Sequence, residues 1–585
     1  MGKFLLGLGT GAVLVVLFGI IGFFALASLR AKPAAIAEGS TLILHLTGDV
    51  PEVPQVEINL PFLAGRNHLT VENVWAMLRR AAVDSRIKAV ILEPDGVEIG
   101  WARMQEIRAD LAEFRKSGKP LIAYLKAPGL REYYLATACS RIYLPPAEVL
   151  NVKGLGFELM YYRNTLNKLG VEVDVEHAGK YKDYGDMFTR TSMSAETKEV
   201  LGAVADGWFG DLVATIAQAR NKTPEEVTAL IDQGPFLARK AKEAGLVDDL
   251  KFEDEVYSEL AKTLKAKELK KVGEREYAAV PDGAAGLKID DRIAFVAAEG
   301  EITRGSAESD GEGGIESEAF DRILARVAKD TQVKGVIVRI NSPGGEVMAS
   351  DDLWRAMNEL SRKKPVVISM SDDAASGGYY MAMSGDPIVA YPGTITGSIG
   401  VVFGKPNLRG LYDKIGISKD SVSRGRFARI DSDYEALDAA GRQKLREGVD
   451  SEYEDFLSKV ATARHRTVEQ IKPIAEGRVW LGEQAKANGL VDELGGIDRA
   501  IELVKRKAKI PASSKVGFVL YPGKKTLMDL LFRGAETEAR AAVVRQAVGI
   551  PEELEPLRKV LKDTRARVWL RGGMLRMLPF SINFR

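Results

Sequence analysis

An α/β fold built twice in tandem, each copy with a mostly parallel sheet, is the architecture this sequence predicts. Three observations carry it. Blocks of residues recur at a near-constant offset of 244 to 246 positions. Within each copy, short β-branched runs alternate with amphipathic stretches, the pattern of strand–helix–strand units. The 585 residues are 46% hydrophobic and 28% charged, which describes an ordinary globular chain long enough for several cores.

The elements follow in order. Phe4 to Leu29 is a run of 26 residues without a charge. As a helix it would be about 39 Å long, against roughly 30 Å of hydrocarbon to cross. It predicts a membrane anchor over residues 1–30 that enters the lipid bilayer through residues 4–29. A signal peptide cut after Ala25-Leu26-Ala27 is the competing reading. Lys3 on one side and Arg30 and Lys32 on the other leave the topology open by charge alone. Residues 31–40 read as a spacer.

The first repeat, 41–250, carries VDSRIKAVILEPDG around Asp84, KPLIAY from Lys119, EYYLATA from Glu132 and KAKEAGLVDDL around Gly245. The second, 291–510, carries DTQVKGVIVRINSPGG from Asp330, KPVVISM from Lys364, GGYYMAM from Gly377 and QAKANGLVDELGG around Gly489. Strands are expected at Ala89 to Pro94, Leu121 to Leu125, Gly335 to Ile340 and Val366 to Met370, with a helix over WARMQEIRADLAEFRKSG. The lysine-rich linker 251–290 reads as a helix and then a loop, and Ser306 to Gly314 as a Gly-rich acidic loop.

The extension 511–585 lies past the repeat. From Arg558 onward it holds eight basic residues against one acidic, with apolar residues interleaved. That suits either an anionic membrane surface or a helical tail packed on a neighbouring subunit. A net charge of +1 gives no reason to expect nucleic acid as a partner. The single cysteine, Cys139, excludes an internal disulfide and falls in a predicted helix, where a buried structural thiol is expected.

Where the copies disagree, chemistry is suggested. Ser376 in AASGGYY matches Leu130 in the first copy, and Lys182 in GKYKDYGD matches Ala428 in the second. RINSPGGEV places Pro-Gly-Gly directly after a strand, where glycines let backbone N–H groups approach a ligand. Ser376 falls between a strand and a helix, with the Gly377 N–H beside a developing oxyanion. Read alone, Ser376 would be a helix N-cap. Pro-Gly-Gly at this spacing, and the loss of both motifs from the first copy, favour a nucleophile. The histidines at 45, 68, 177 and 465 form no triad or metal-ligand spacing and read as structural or surface residues. A neutral lysine can serve as base instead. Bringing one from about 10.4 to near 7 needs about 4.6 kcal/mol of differential burial, so its site must be largely dry. Tyr181, Tyr184, Met187 and Phe188 are placed to exclude water, or belong to the core.

INSPGG, AASGGYY and TGSIGVVFG in the second half, with GKYKDYGD in the first, resemble the long, tandem-repeat form of the signal peptide peptidase A family. The resemblance spans about residues 1 to 505. It implies tandem ClpP/crotonase-like domains behind an N-terminal transmembrane helix, and a Ser/Lys dyad that hydrolyses peptide bonds without cofactor or metal. Carried over, it makes Ser376 the nucleophile and Lys182 the general base, with Ser398 of TGS orienting the amine. Gly377 and Gly344 would supply the oxyanion N–H groups, with Gly345 the alternative to Gly344. Lys180 is the nearby rival, but the lysine before Asp183 fits the family pattern. The resemblance also implies a bowl-shaped homotetramer tethered to the outer, periplasmic face of a bacterial inner membrane, acting on remnant signal peptides and other short apolar peptides. Two other classes share some of these features. A crotonase-type acyl-CoA enzyme needs no nucleophilic serine, and a non-catalytic scaffold needs neither intact dyad nor glycine elements.

Overall fold

The computed structural model describes residues 36–54, 69–305, 314–523 and 573–578. The expected anchor, half of the spacer and almost all of the acidic loop lie outside these residues. Each repeat is built on its own sheet. In the first, Lys270–Gly273, Ser40–Gly48, Ile87–Val97, Leu121–Tyr124, Arg141–Leu144 and Asp249–Leu250 lie side by side, all parallel. In the second, Val516–Tyr521, Asp291–Glu299, Val336–Ser342, Val366–Ala375 and Ile395–Gly397 run parallel, with Val479–Leu481 antiparallel at the end.

Both parallel sheets bury their central strands. In Val366–Ala375 every residue but one is buried, as a sheet covered on both faces requires. The expected strands are present; three run longer than read, and the one expected at Leu121 to Leu125 ends a residue earlier, at Tyr124. The WARMQEIRADLAEFRKSG helix spans Trp101–Arg115. Cys139 is buried, as expected, but sits in the turn after the Leu130–Ala136 helix rather than within a helix.

The common ancestry of the sheets is visible in repeated hydrogen bonds. The Tyr133 hydroxyl donates to the Leu246 carbonyl at 2.8 Å, and Tyr379 to Leu490 at 2.9 Å. The Lys119 amine donates to the Asp84 carbonyl at 2.7 Å, and Lys364 to Asp330 at 2.6 Å. The repeats also reach further than their sequence blocks. Lys270–Gly273, inside the expected linker, adds an edge strand beside Ser40–Ile43. Val516–Tyr521, past the expected end at 510, adds the matching strand beside Asp291–Val296. A short KKVG strand at a sheet edge keeps lysines for solvent and so carries no β-rich run to read.

A third sheet joins the two halves. Glu172–Ala178 of the first repeat pairs antiparallel with Val401–Asn407 of the second, from Ala178 opposite Val401 to Glu172 opposite Asn407. On the other side of Val401–Asn407 lies Gly573–Met577, near the end of the chain, antiparallel to it and also to Gly344–Glu346. This part of the extension therefore pairs within its own chain; the rest of the tail from Arg558 lies outside the described residues.

Buried charges lock the repeats together. Arg339, fully buried, donates to Glu52 at 2.9 Å and contacts Glu106. Arg103 contacts Asp372 and donates to Asp49 at 2.8 Å. Among the described residues one helix, Ala195–Arg220, has the length and composition to cross a membrane. It is half buried, and Trp208 on it stacks on Trp101 at 5.3 Å, so it packs as a core helix.

Candidate active site

The Val366–Ala375 strand ends beside Ile395–Gly397, with Ala375 opposite Gly397, so the next residues, Ser376 and Ser398, become neighbours. Ser376 turns the chain from strand into the Gly377–Met381 helix at φ 55 and ψ −112, a strained conformation for a residue with a side chain. The same strand–serine–helix turn exposes nucleophiles in other hydrolases. Its own N–H is tied to the Gly397 carbonyl at 2.8 Å. Ser398 also has positive φ (51), and its N–H donates to the Arg478 carbonyl at 2.7 Å.

Lys182 arrives from the other repeat. The cross-repeat pairing ends at Ala178 opposite Val401, and the Tyr181 N–H then fastens to the Glu476 carbonyl at 2.9 Å. Two glycines make room for the lysine. A Cβ on Gly477, which has φ +74, would lie 2.6 Å from the Lys182 nitrogen. A Cβ on Gly400 would lie 3.2 Å from the Lys182 Cδ. Lys182 and Ser376 both have no solvent exposure, and Lys182 Nζ lies 2.7 Å from Ser376 Oγ. Nζ also lies 2.9 Å from Ser398 Oγ and 3.0 Å from the Ser398 carbonyl.

None of these three partners is a carboxylate, so an ammonium here would be a buried charge without a counter-ion. A neutral amine matches the set. Its two N–H groups meet the oxygens of Ser398, and its lone pair accepts from the Ser376 hydroxyl. Burial pushes Lys182 well below the usual lysine range; Asp183 next to it opposes the shift, and the Arg576 guanidinium adds to it. Asp183 is itself lifted to about 6 by burial, against a hydrogen bond from Thr197. Lys180, two residues away, is exposed and lies 4.7 Å over the Tyr181 ring, outside the site.

The glycine elements converge on the same point. Gly344 has φ +103, and a Cβ there would meet the Gly377 nitrogen at 2.7 Å and the Arg576 carbonyl oxygen at 2.0 Å. A Cβ on Gly377 would lie 3.1 Å from that same oxygen. The Gly344 N–H donates to Ser342 Oγ at 3.2 Å, while Gly345 faces Arg576 across the strand pair. Gly344 and Gly345 both therefore stand beside Gly377 as candidates. The histidines stay away from the site: His45 bridges Glu93 and Glu274 on the surface, which raises it to about 10, and exposed His177 contacts the Gly179 carbonyl. His68 lies outside the described residues. Sequence reasoning missed Gly477, Ser342 and Arg576. Nothing in residue type or repeat position marks Gly477 or Ser342 as part of the site, and Arg576 lies beyond both repeats.

A strained serine between strand and helix, facing glycine N–H groups, defines a serine hydrolase site. The chain belongs to Peptidase family S49, whose profile matches residues 113–267 and 358–511, once in each repeat. It is a serine protease of that family. Over 526 residues it is 35% identical to "Serine protease SPPA, chloroplastic" of Arabidopsis thaliana, covering 89% of this chain and 76% of that one. It is 33% identical over 530 residues to "Protease 4" of Salmonella typhi, covering 86% and 83%. Among solved structures, ClpP1 from Listeria monocytogenes aligns with a TM-score of 0.21 at 17% identity, over 35% of this chain and 91% of that one.

Proposed function

We propose that this chain is a membrane-anchored endopeptidase in which Ser376 and Lys182 form the catalytic dyad. The observation that carries the reading is the 2.7 Å contact between Ser376 Oγ and a fully buried Lys182 amine that lacks a carboxylate partner. In the reaction, Ser376 Oγ attacks the carbonyl carbon of the scissile peptide and its proton passes to Lys182 Nζ. The oxyanion is held by the N–H groups of Gly377 and of Gly345 or Gly344. As the C–N bond breaks, Lys182 returns the proton to the leaving amine, and an acyl-enzyme on Ser376 remains. Water then attacks the ester, Lys182 takes its proton, and the acid leaves as the proton returns to Ser376. Ser398 keeps the amine aimed at Ser376 throughout.

The substrate class we assign is short, largely apolar peptides such as remnant signal peptides. The apolar surroundings of Leu575 and Met577, with Tyr184, Val402, Val175 and Phe188, suit such a chain in extended form. Anchoring through residues 4–29, a homotetramer and a periplasmic location belong to the same proposal.

Hydrolysis of a quenched apolar peptide by the detergent-solubilised protein tests it, beside Ser376→Ala and Lys182→Ala. Activity lost in both variants at unchanged oligomer size supports the dyad; activity kept in Lys182→Ala removes Lys182 from it.

A further inference from the structure

The strand Gly573–Met577 lies in the active site as a substrate would. It runs antiparallel between Gly344–Glu346 and Val401–Asn407, filling the slot that an extended peptide would enter as an added strand. Its register places the Arg576 carbonyl oxygen against both Gly344 and Gly377, where the carbonyl of a bond about to be cut belongs.

The side chain that goes with that carbonyl has a built pocket. Arg576 is fully buried, with its guanidinium 3.7 Å above the Tyr380 ring and 5.3 Å from Phe456. Nη2 pairs with Glu452 at 3.0 Å and lies 3.6 Å from Asp455. Aromatic faces with carboxylates at the far end recognise a cation; Asp455 also pairs with Lys459 at 2.7 Å, so Glu452 is the carboxylate that an apolar side chain would leave without its cation. Tyr380 is four residues after Ser376, so the helix that the serine begins also floors the pocket. Side chains on either side alternate as a strand requires: Leu575 and Met577 pack in one apolar cluster and Met574 in another.

We infer that the Ser376 site seats a basic side chain immediately before the bond it cuts, in the pocket formed by Tyr380, Phe456, Glu452 and Asp455, within an otherwise apolar peptide. The inference rests on the dyad reading above. It narrows the substrate from apolar peptides at large to those with one arginine or lysine at the cut, and it makes the chain's own Gly573–Met577 a competitor for the track.

The test uses three quenched apolar peptides that differ only in the residue before the scissile bond: arginine, leucine or glutamate. They are given to the full chain and to Arg576→Ala, which vacates the pocket, with the cut site mapped by mass. The expected result is a kcat/KM for the arginine peptide about ten- to hundredfold above the leucine peptide, and lowest for glutamate. Glu452→Gln with Asp455→Asn should shrink the arginine-to-leucine ratio towards one. Removing the Arg576 side chain should lower KM for the arginine peptide. Equal cleavage of arginine and leucine peptides, or a preference that survives loss of both carboxylates, overturns the subsite and leaves the dyad standing. No cleavage of any peptide by either protein overturns the dyad reading and the subsite together.

Discussion

Gly477→Ala offers a sharp test of how the lysine is held. Gly477 has φ +74, and a methyl there would stand 2.6 Å from the Lys182 nitrogen and 2.7 Å from its Cβ. Ordinary contact begins at 3.4 Å, so the lysine backbone must retreat by about 0.8 Å. Displacing a reacting group by about that much costs on the order of a hundredfold in rate, or about 2.7 kcal/mol of barrier. The backbone strain of a side chain at positive φ adds about 1 kcal/mol to the cost of folding, independent of the lysine. Gly118→Ala is the matched control: its φ is +77 and nothing lies within 4 Å of the added methyl. Gly118→Ala should show the cost of positive φ alone, whereas Gly477→Ala should lose more stability by chemical unfolding and should alone lose kcat. If the two retain equal kcat, the close approach of Gly477 does not position Lys182, and the reasoning fails.

Three other outcomes follow from the same contacts. Lys182→Met should abolish turnover yet raise stability at pH 7, because the unfolded lysine stays protonated to about pH 10.4 while the folded amine gives up its proton well below that. Between those two values the unfolded state binds more protons, so parental stability rises with pH. The advantage of Lys182→Met in a melting series should therefore shrink as pH nears 10. Activity runs in the same direction: kcat/KM of the parent should rise as the depressed Lys182 deprotonates and level off well below the ordinary lysine value. Arg339→Ala should cost about 3–5 kcal/mol in chemical unfolding, since it strands Glu52 and Glu106 in a dry junction between the repeats.

The duplication makes much of this legible in the sequence. With a scaffold present twice, Leu130 and Ala428 expose Ser376 and Lys182 as departures from it. The strand cores were readable because Val and Ile runs buried on both faces leave a continuous apolar signature. What escaped notice depends on partners distant in sequence. The pairing of Glu172–Ala178 with Val401–Asn407, which delivers the lysine, joins strands from different copies and has no counterpart to compare. The Gly573–Met577 strand is five residues of GMLRM whose fate is set by the slot it enters. Gly477 matters only through a backbone angle and a neighbour from the other repeat. Lys270–Gly273 is an edge strand whose lysines hide it.

The most direct test of the central claim is the rate at which a fluorophosphonate probe labels Ser376 at pH 7 in the parent and in Lys182→Ala. The account predicts labelling on Ser376 alone, and a rate lowered about 10²- to 10⁴-fold when the buried amine is removed. Labelling of Lys182→Ala at the parental rate would contradict it.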